Sequence, residues 1–433
     1  MAVDQSIREV ETWCALCVSR CGATAEITDG RFTALKPLPS HPTGQAVCTK
    51  GKAGPELVEH PDRLLHPMKR TKAKGEADPG WEEISWDEAL DLVAERLLTL
   101  KEQHGAETVV FSTSSPSCTS ISDSIDWIAR LRRAFGSPNH ATYMELCGWG
   151  RYFASLYTFG APVPGVFMPD LENAGCILYW GYNPSVARLV HATATAAATR
   201  RGAKLIVVDP KRAGLASRAD HWLRVRPGTD AALALAMVHV LLDRGWFDED
   251  FVREWTNAPL LVREDTGRFL RADEVWKSAD AGRFVGWDTA DNEPVAYDAT
   301  TGQHGTDVGR LALRGVHKVQ TSEGPVACRP VFDLVTEHAR GMEPSVAEDV
   351  TGVPADQVVS AARTLWESRP VAFYTWSGLE QHSNTTQSVR AIHLLYSLLG
   401  SLDVKGGNVA FTPVPTNPIE GMDLLPREQA ARA

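Results

Sequence analysis

Apolar residues recur at helical spacing from Trp86 onward. Trp86, Ala89, Leu90, Val93, Leu97 and Leu100 stand on one face, which predicts an amphipathic helix. Ser85-Trp86-Asp87-Glu88 reads as its capping box: Ser85 accepts from the amide three residues on, and Glu88 reaches back. Thr108 to Ser112 is a short β-branched run and predicts a strand. Between Cys176 and Leu242 strands and helices alternate. Cys176 to Trp180 is an apolar strand ending at Gly181-Tyr182-Asn183-Pro184, and Val190 to Thr199 is an Ala-rich helix closed by Gly202. Lys204 to Val208 is a second strand, ending at Asp209-Pro210. Trp222 to Val225 is a third, ending at Arg226-Pro227-Gly228-Thr229-Asp230, which opens a helix through Leu242. This alternation predicts the α/β class and a doubly wound parallel sheet. Such sheets bind nucleotides at the carboxyl ends of their strands, where all three turns lie.

From about Trp246 to Val331 the pattern loosens into glycines, charges and short β-like pieces (Gly267 to Leu270, Gly282 to Trp287), which predicts an irregular or β-rich insertion. Helix and strand then resume: Ala355 to Trp366, Pro370 to Trp376, and Thr386 to Leu399. No repeat at solenoid periods is present.

Length and composition narrow the function classes. A chain of 433 residues exceeds what one hydrophobic core usually supports, so two or three domains are expected. With 43% hydrophobic and 23% charged residues it reads as a soluble globular protein. A formal charge of −10 with scattered basic residues argues against nucleic-acid binding. No stretch approaches the roughly 18 to 20 apolar residues that span a bilayer. Met1 to Val10 carries neither a hydrophobic signal core nor paired arginines, so cytoplasmic location is expected by default. Export alongside a signal-bearing partner would leave the same pattern.

The chemistry is concentrated at the amino terminus. Cys14, Cys17, Cys21 and Cys48 are spaced C-x2-C-x3-C-x26-C, with Lys50-Gly51 close behind. Without an export signal, and with four of eight cysteines in the first 48 residues, ligation is a better reading than disulfides. Structural zinc also uses four cysteines, but zinc sites usually pair two C-x2-C knuckles. Here three cysteines crowd together and the fourth stands alone, as in iron–sulfur loops, which favours a [4Fe–4S] cluster. Cys118, Cys176 and Cys328 are dispersed and read as small buried hydrophobes.

A family resemblance rests on several motifs in order. Cys14 to Gly51 is followed by His60-Pro61-Asp62-Arg63-Leu64, Pro67-Met68-Lys69-Arg70, Ile84 to Ala89 and Arg226 to Asp230. Gly378-Leu379-Glu380-Gln381-His382 and the segment Gly400 to Asn408 complete the set. Together they resemble the molybdopterin oxidoreductases of the dimethyl-sulfoxide-reductase type over nearly the whole chain. The resemblance implies a [4Fe–4S] domain at residues 7–64 and molybdopterin oxidoreductase domains at 65–433. Within the latter, 65–145 with 345–433 would form one lobe, and 146–344 a nucleotide-binding lobe with its insertion at 246–331. It further implies a molybdenum or tungsten atom held by two molybdopterin guanine dinucleotides, with Lys50 between cluster and pterin. A cation there lowers the cost of adding an electron between two negative groups. The turn Gly136-Ser137-Pro138-Asn139 and the stretch Ala141 to Gly148 match the family's metal-ligand segment, making Cys147 the implied thiolate ligand.

Polar turns serve the nucleotide tails in this resemblance. Asn183 would bond a phosphate or ribose, Asp209 ribose hydroxyls, and Arg212 a phosphate or a stacked base. In the turn that includes Gly228, Asp230 would accept from the two donors of guanine's Watson–Crick edge. The plainer alternatives are a turn residue for Asn183, a cap for Asp209, and a helix-dipole partner for Asp230. The loop Gly378 to His382 would approach the cofactor, with His382 either a proton shuttle or a satisfied loop residue.

Two departures qualify the resemblance. The family's chains continue into a carboxy-terminal barrel that clasps the dinucleotides, whereas this sequence stops at Ala433 after a polar tail. A fragment, a split subunit completed by another chain, or a decayed copy would each account for that. Gly148 stands where formate dehydrogenases of this type carry histidine, and Val18 where acetylene hydratase carries aspartate, which argues against both chemistries. The expected function is therefore the catalytic subunit, or its amino-terminal part, of a molybdenum/tungsten oxidoreductase. It would act on a small-molecule redox substrate and partner an electron-transfer subunit. The alternative is a non-catalytic iron–sulfur relay, as in the large iron–sulfur subunit of respiratory NADH dehydrogenase.

Overall fold

The computed structural model describes residues 7–115, 117, 124–142, 144, 146–160, 167–277, 279–410, 415–417 and 419–430. Cys118, Tyr143 and Glu145 fall outside these residues. The chain divides into two compact units, one of residues 1–147, 188–193 and 414–433, the other of residues 148–187 and 194–413.

The first unit begins with an antiparallel sheet of β1 (Ile7–Trp13), β2 (Gly22–Thr28) and β3 (Arg31–Pro37), in that order. Cys14 follows β1 directly, and Cys21 precedes β2 directly. The register pairs Trp13 with Gly22, so the hairpin loop itself brings the first three cysteines together. Of the residues Pro37, Pro39, Pro42 and Gly44, which predict a loop before Cys48, the last three lie in irregular chain, while Pro37 ends β3. Further along, α1 (Trp86–His104) starts where the periodicity placed it. Only half of the capping box forms: Ser85 Oγ accepts from the Glu88 amide at 3.1 Å, while the Glu88 carboxylate takes Lys69 Nζ at 3.2 Å.

The apolar stripe of α1 behaves differently from expectation. None of its residues is buried among those described, and Trp86, Leu90 and Val93 are exposed. The strand expected at Thr108 to Ser112 is shorter and later, at Phe111–Thr113, paired with His140–Thr142. Two three-residue strands make too little sheet to cover a helix of 19 residues. Charge placement supports α1 locally, with Asp87 and Glu88 in its first turn and Lys101 and His104 in its last.

The second unit is built on a parallel sheet of β4 (Cys176–Trp180), β5 (Lys204–Val208), β6 (His221–Leu223) and β7 (Val371–Thr375), ordered β6-β5-β4-β7. The third strand is thus offset and shorter than Trp222 to Val225. β7, grouped from sequence with residues 65–145, pairs in parallel with β4. Strands covered on both faces read as unbroken apolar runs, and all five residues of β4 are at most 1% exposed. The helix expected from Gly228 onward is α2 (Asp230–Asp243). It packs against α3 (Ala355–Glu367) and α4 (Thr385–Leu398). The insertion carries two small antiparallel sheets with their own apolar cluster around Leu261, Val285, Trp287 and Val319, which agrees with the β-rich expectation. Among the described residues no helix is long and apolar enough to cross a membrane.

His393 of α4 is 2% exposed and packs on the Phe159 ring at 4.6 Å, with Nδ1 3.4 Å from Thr158 Oγ1. Burial pushes its pKa down from 6.5 to about 3, so the fold holds it neutral. Between those values the unfolded chain binds a proton that the fold refuses. Its stabilising share is therefore complete above about pH 6.5 and drains away as the pH falls toward 3. His393→Gln should lose less stability than the wild type between about pH 7 and pH 4, by up to ~1.4 kcal/mol per pH unit. Parallel denaturant melts with identical pH slopes would contradict this.

Candidate functional site

In the first unit, Cys14 and Cys21 are buried and Cys17 and Cys48 half-buried, and none of the seven described cysteines forms a disulfide. The Cys14 amide donates to the Cys21 carbonyl at 2.8 Å, which ties the two loop ends together. Burial raises the Cys21 thiol to about 11, helped by the like charges of Cys17, Cys14 and Cys48. Burial also raises Cys14, as do Cys17 and Cys48, while the charge of Lys50 opposes them. Cys14 and Cys21 thus lie within electrostatic reach of each other and of Cys17 and Cys48, with Lys50 near Cys14. Among the described residues, no three ligating side chains converge closely enough to hold a single ion. A [4Fe–4S] cage takes its four thiolates on four separate irons, and this loop module supplies four cysteines free of disulfides.

The backbone around the quartet is crowded. A Cβ on Gly51 would lie 2.6 Å from Val47 Cγ1 and 3.4 Å from Cys14 Sγ. One on Gly22 would lie 2.3 Å from the His41 ring, so only glycine fits beside Cys21. Lys50 is exposed, on the short helix Thr49–Lys52 that Cys48 opens.

Cys147 is half-buried in the turn after His140–Thr142, its amide 3.3 Å from the Met144 carbonyl. The turn before it is fixed by side chains. Ser137 Oγ donates to the Val109 carbonyl at 2.6 Å, Asn139 Nδ2 donates to the Glu107 carbonyl at 2.5 Å, and Gly136 has φ +91.

In the second unit the nucleotide candidates sit at the carboxyl ends of the parallel strands. With order β6-β5-β4-β7, the winding reverses between β4 and β7, and such a switch point opens a crevice. Two glycines meet there. Gly378 donates its amide to the Gly181 carbonyl at 3.0 Å, and a Cβ on Gly378 would fall 2.6 Å from that oxygen. Asn183, after β4, accepts from the Ser185 amide at 3.2 Å, and Asp209, after β5, accepts from the Lys211 amide at 2.7 Å. Exposed Arg212 lies over the Trp222 ring at 5.4 Å. Gly228 has φ +85, a conformation that favours glycine.

Asp230 differs from these open turns. It is 6% exposed, and its Oδ1 accepts from Trp180 Nε1 at 2.8 Å. Burial raises its pKa against the pull of that bond and of the charge on His382, which brings the loop after β7 close to it. His382 itself is exposed, its Nε2 3.0 Å from the Gly378 carbonyl. Glu380 of the same loop is buried and ion-paired with buried Arg151. Burial outweighs that attraction and raises the carboxyl, whose Oε2 has no hydrogen-bond partner among the described residues. Arg151 carried no motif in the sequence; an arginine inside Trp149–Phe159 was the available signal. Cys176 and Cys328 are buried with raised thiol pKa values, as expected for inert cysteines.

Comparison with known proteins gives these sites a family. Residues 7–60 match the molybdopterin oxidoreductase Fe4S4 domain, and residues 63–423 match the molybdopterin oxidoreductase domain. A sulfite dehydrogenase subunit from Allochromatium vinosum is 30% identical over 94% of this chain and 44% of its own length. Dopamine dehydroxylase of Eggerthella lenta is 28% identical over 94% and 48%, and the alpha subunit of perchlorate reductase from Dechloromonas aromatica 28% over 84% and 41%. The chain thus spans about half the length of these curated relatives. Acetylene hydratase from Pelobacter acetylenicus shares the fold with a TM-score of 0.67 at 22% identity, over 97% of this chain and 48% of that one. The matched domains are those of a molybdenum or tungsten bis-molybdopterin guanine dinucleotide centre and a [4Fe–4S] cluster, and the chain belongs to the molybdopterin oxidoreductase family.

Proposed function

We propose that this chain is the cofactor-bearing part of a molybdenum- or tungsten-dependent oxidoreductase that exchanges electrons between its metal centre and a [4Fe–4S] cluster. The observation that carries this reading is the gathering of Cys14, Cys17, Cys21 and Cys48 on one loop module, with the like charges of neighbouring thiolates acting on Cys14 and Cys21 and Lys50 alongside. When bound, the molybdopterin centre supplies two-electron chemistry on the substrate and the cluster one-electron transfer. The chain's residues bind and tune these groups. The four cysteines ligate the irons, and Cys147 gives the heavy metal a soft thiolate. Lys50 adds a positive charge near the thiolates, which favours the added electron. Asn183, Asp209, Arg212, the Gly228 turn and Asp230 hold the nucleotide tails.

The relatives' names support the reaction class and no single substrate, since they speak of sulfite, dopamine and perchlorate. Two of them are named as subunits, which supports pairing of this chain with a separate electron-transfer subunit. One observation favours the relay instead: the Asp230 carboxylate is buried and already bonded to Trp180, as a structural cap would be.

Metal analysis of the protein purified anaerobically separates the two. About four irons and about one molybdenum or tungsten per chain are expected. Iron alone would support the relay, and zinc alone would end both readings. Cys147→Ser should keep the visible iron–sulfur absorption and lower turnover at least about tenfold, or ~1.4 kcal/mol of barrier. Unchanged turnover would remove Cys147 from the metal.

The packing of the cluster loop gives a separate test. Gly51→Ala forces a methyl against Val47 and Cys14, an overpacking that costs about 1–3 kcal/mol. Gly54→Ala meets only ordinary contact with Phe32, at 3.5 Å. Iron per chain should fall in the first variant and hold in the second. Equal iron in both would contradict the crowding.

A further inference from the structure

We propose that Arg188 is the buried cationic anchor of the cluster loop, bracing the turn between Cys17 and Cys21 and raising the reduction potential of the cluster those cysteines hold. This rests on the iron–sulfur reading above. Arg188 is 5% exposed and belongs to the same compact unit as the cysteines. Its Nη2 donates to the Val18 carbonyl at 3.3 Å, inside the three-residue gap between the second and third ligands.

That gap needs bracing. Arg20 adopts φ +45, a left-handed conformation that a non-glycine residue enters at a cost. The turn is closed by the Arg20 amide on the Cys17 carbonyl at 3.3 Å, and by the Thr43 hydroxyl on the Arg20 carbonyl at 2.9 Å. The Arg188 bond to Val18 holds the same turn through a charged group, which makes a stronger hydrogen bond than a neutral one.

Reducing a cluster held by four thiolates adds negative charge to an already negative group, so a nearby cation favours the reduced form. Arg20 and Lys50 are exposed, and solvent and salt weaken their effect. Arg188 is buried, where the same charge acts several-fold more strongly. Its hydrogen bond to the Val18 carbonyl sets that charge one residue from Cys17. His191 is also buried, and burial and Arg188 together press its pKa well below the usual value. It stays neutral and adds no second charge. No motif marks Arg188, which lies far along the chain from the cysteines.

The test is a mediated redox titration of the anaerobically purified protein, read by the paramagnetic signal of the reduced cluster, with iron measured alongside. Arg188→Gln should lower the midpoint by about 59 mV, a tenfold fall in the one-electron reduction equilibrium. Arg188→Lys keeps the charge and should recover most of the loss. An unchanged midpoint in iron-replete Arg188→Gln would overturn the proposal, as would an equal fall in both variants. Loss of iron in the Gln variant alone, with Lys at the wild-type potential, supports a charged anchor. Loss in both leaves only a structural brace and overturns the role in potential. Wild-type protein without iron would instead remove the cluster reading itself.

Discussion

Four thiols gathered on one small module set an electrostatic problem that the amino-terminal unit is arranged around. Each must lose its proton to bind metal, yet burial and neighbouring charge oppose that loss at Cys14 and Cys21, and Cys21 is pushed up to about 11. A metal cage removes the conflict by placing positive charge at the point where the thiolates face one another. The protein contributes at the margin through Lys50 and Arg188, one cation in solvent and one buried. The hairpin of β1 and β2 supplies the frame, because pairing Trp13 with Gly22 forces the intervening cysteines into a closed loop.

The second unit answers a different requirement, that of presenting polar turns at one edge of a rigid sheet. Its strand order places the reversal of winding between β4 and β7, where Gly181 and Gly378 approach more closely than any side chain allows. The polar candidates Asn183 and Asp209 stand on neighbouring strand ends. Behind them the buried Arg151–Glu380 pair fixes the loop after β7. A buried pair adds little net stability, but removing one partner strands the other charge, so its effect is to hold that loop in one place.

Much of this was legible in the chain because its signals are local. The apolar runs of β4 and β5, the start of α1 and the length of α2 follow from periodicity and turn residues. The cysteine spacing pointed to the cluster, and the family motifs singled out the remaining candidates. What stayed hidden depends on distant partners. Arg188 and Arg151 become informative only when the fold sets them beside Val18 and Glu380. The reciprocal half of the Ser85 capping box gives way to Lys69, which competes for the Glu88 carboxylate. The stripe on α1 has helical periodicity, but periodicity fixes only which face is apolar and says nothing of what covers it.

In this proposal one iron–sulfur cage is shared by four cysteines of the first unit. Iron-edge X-ray absorption of the native protein tests it most directly, because it reads the donor atoms and neighbours of the metal. Iron bound by sulfur alone is expected, with a strong iron–iron scattering shell. Iron bound by oxygen or nitrogen with no iron neighbour, or a site filled by zinc, would contradict it.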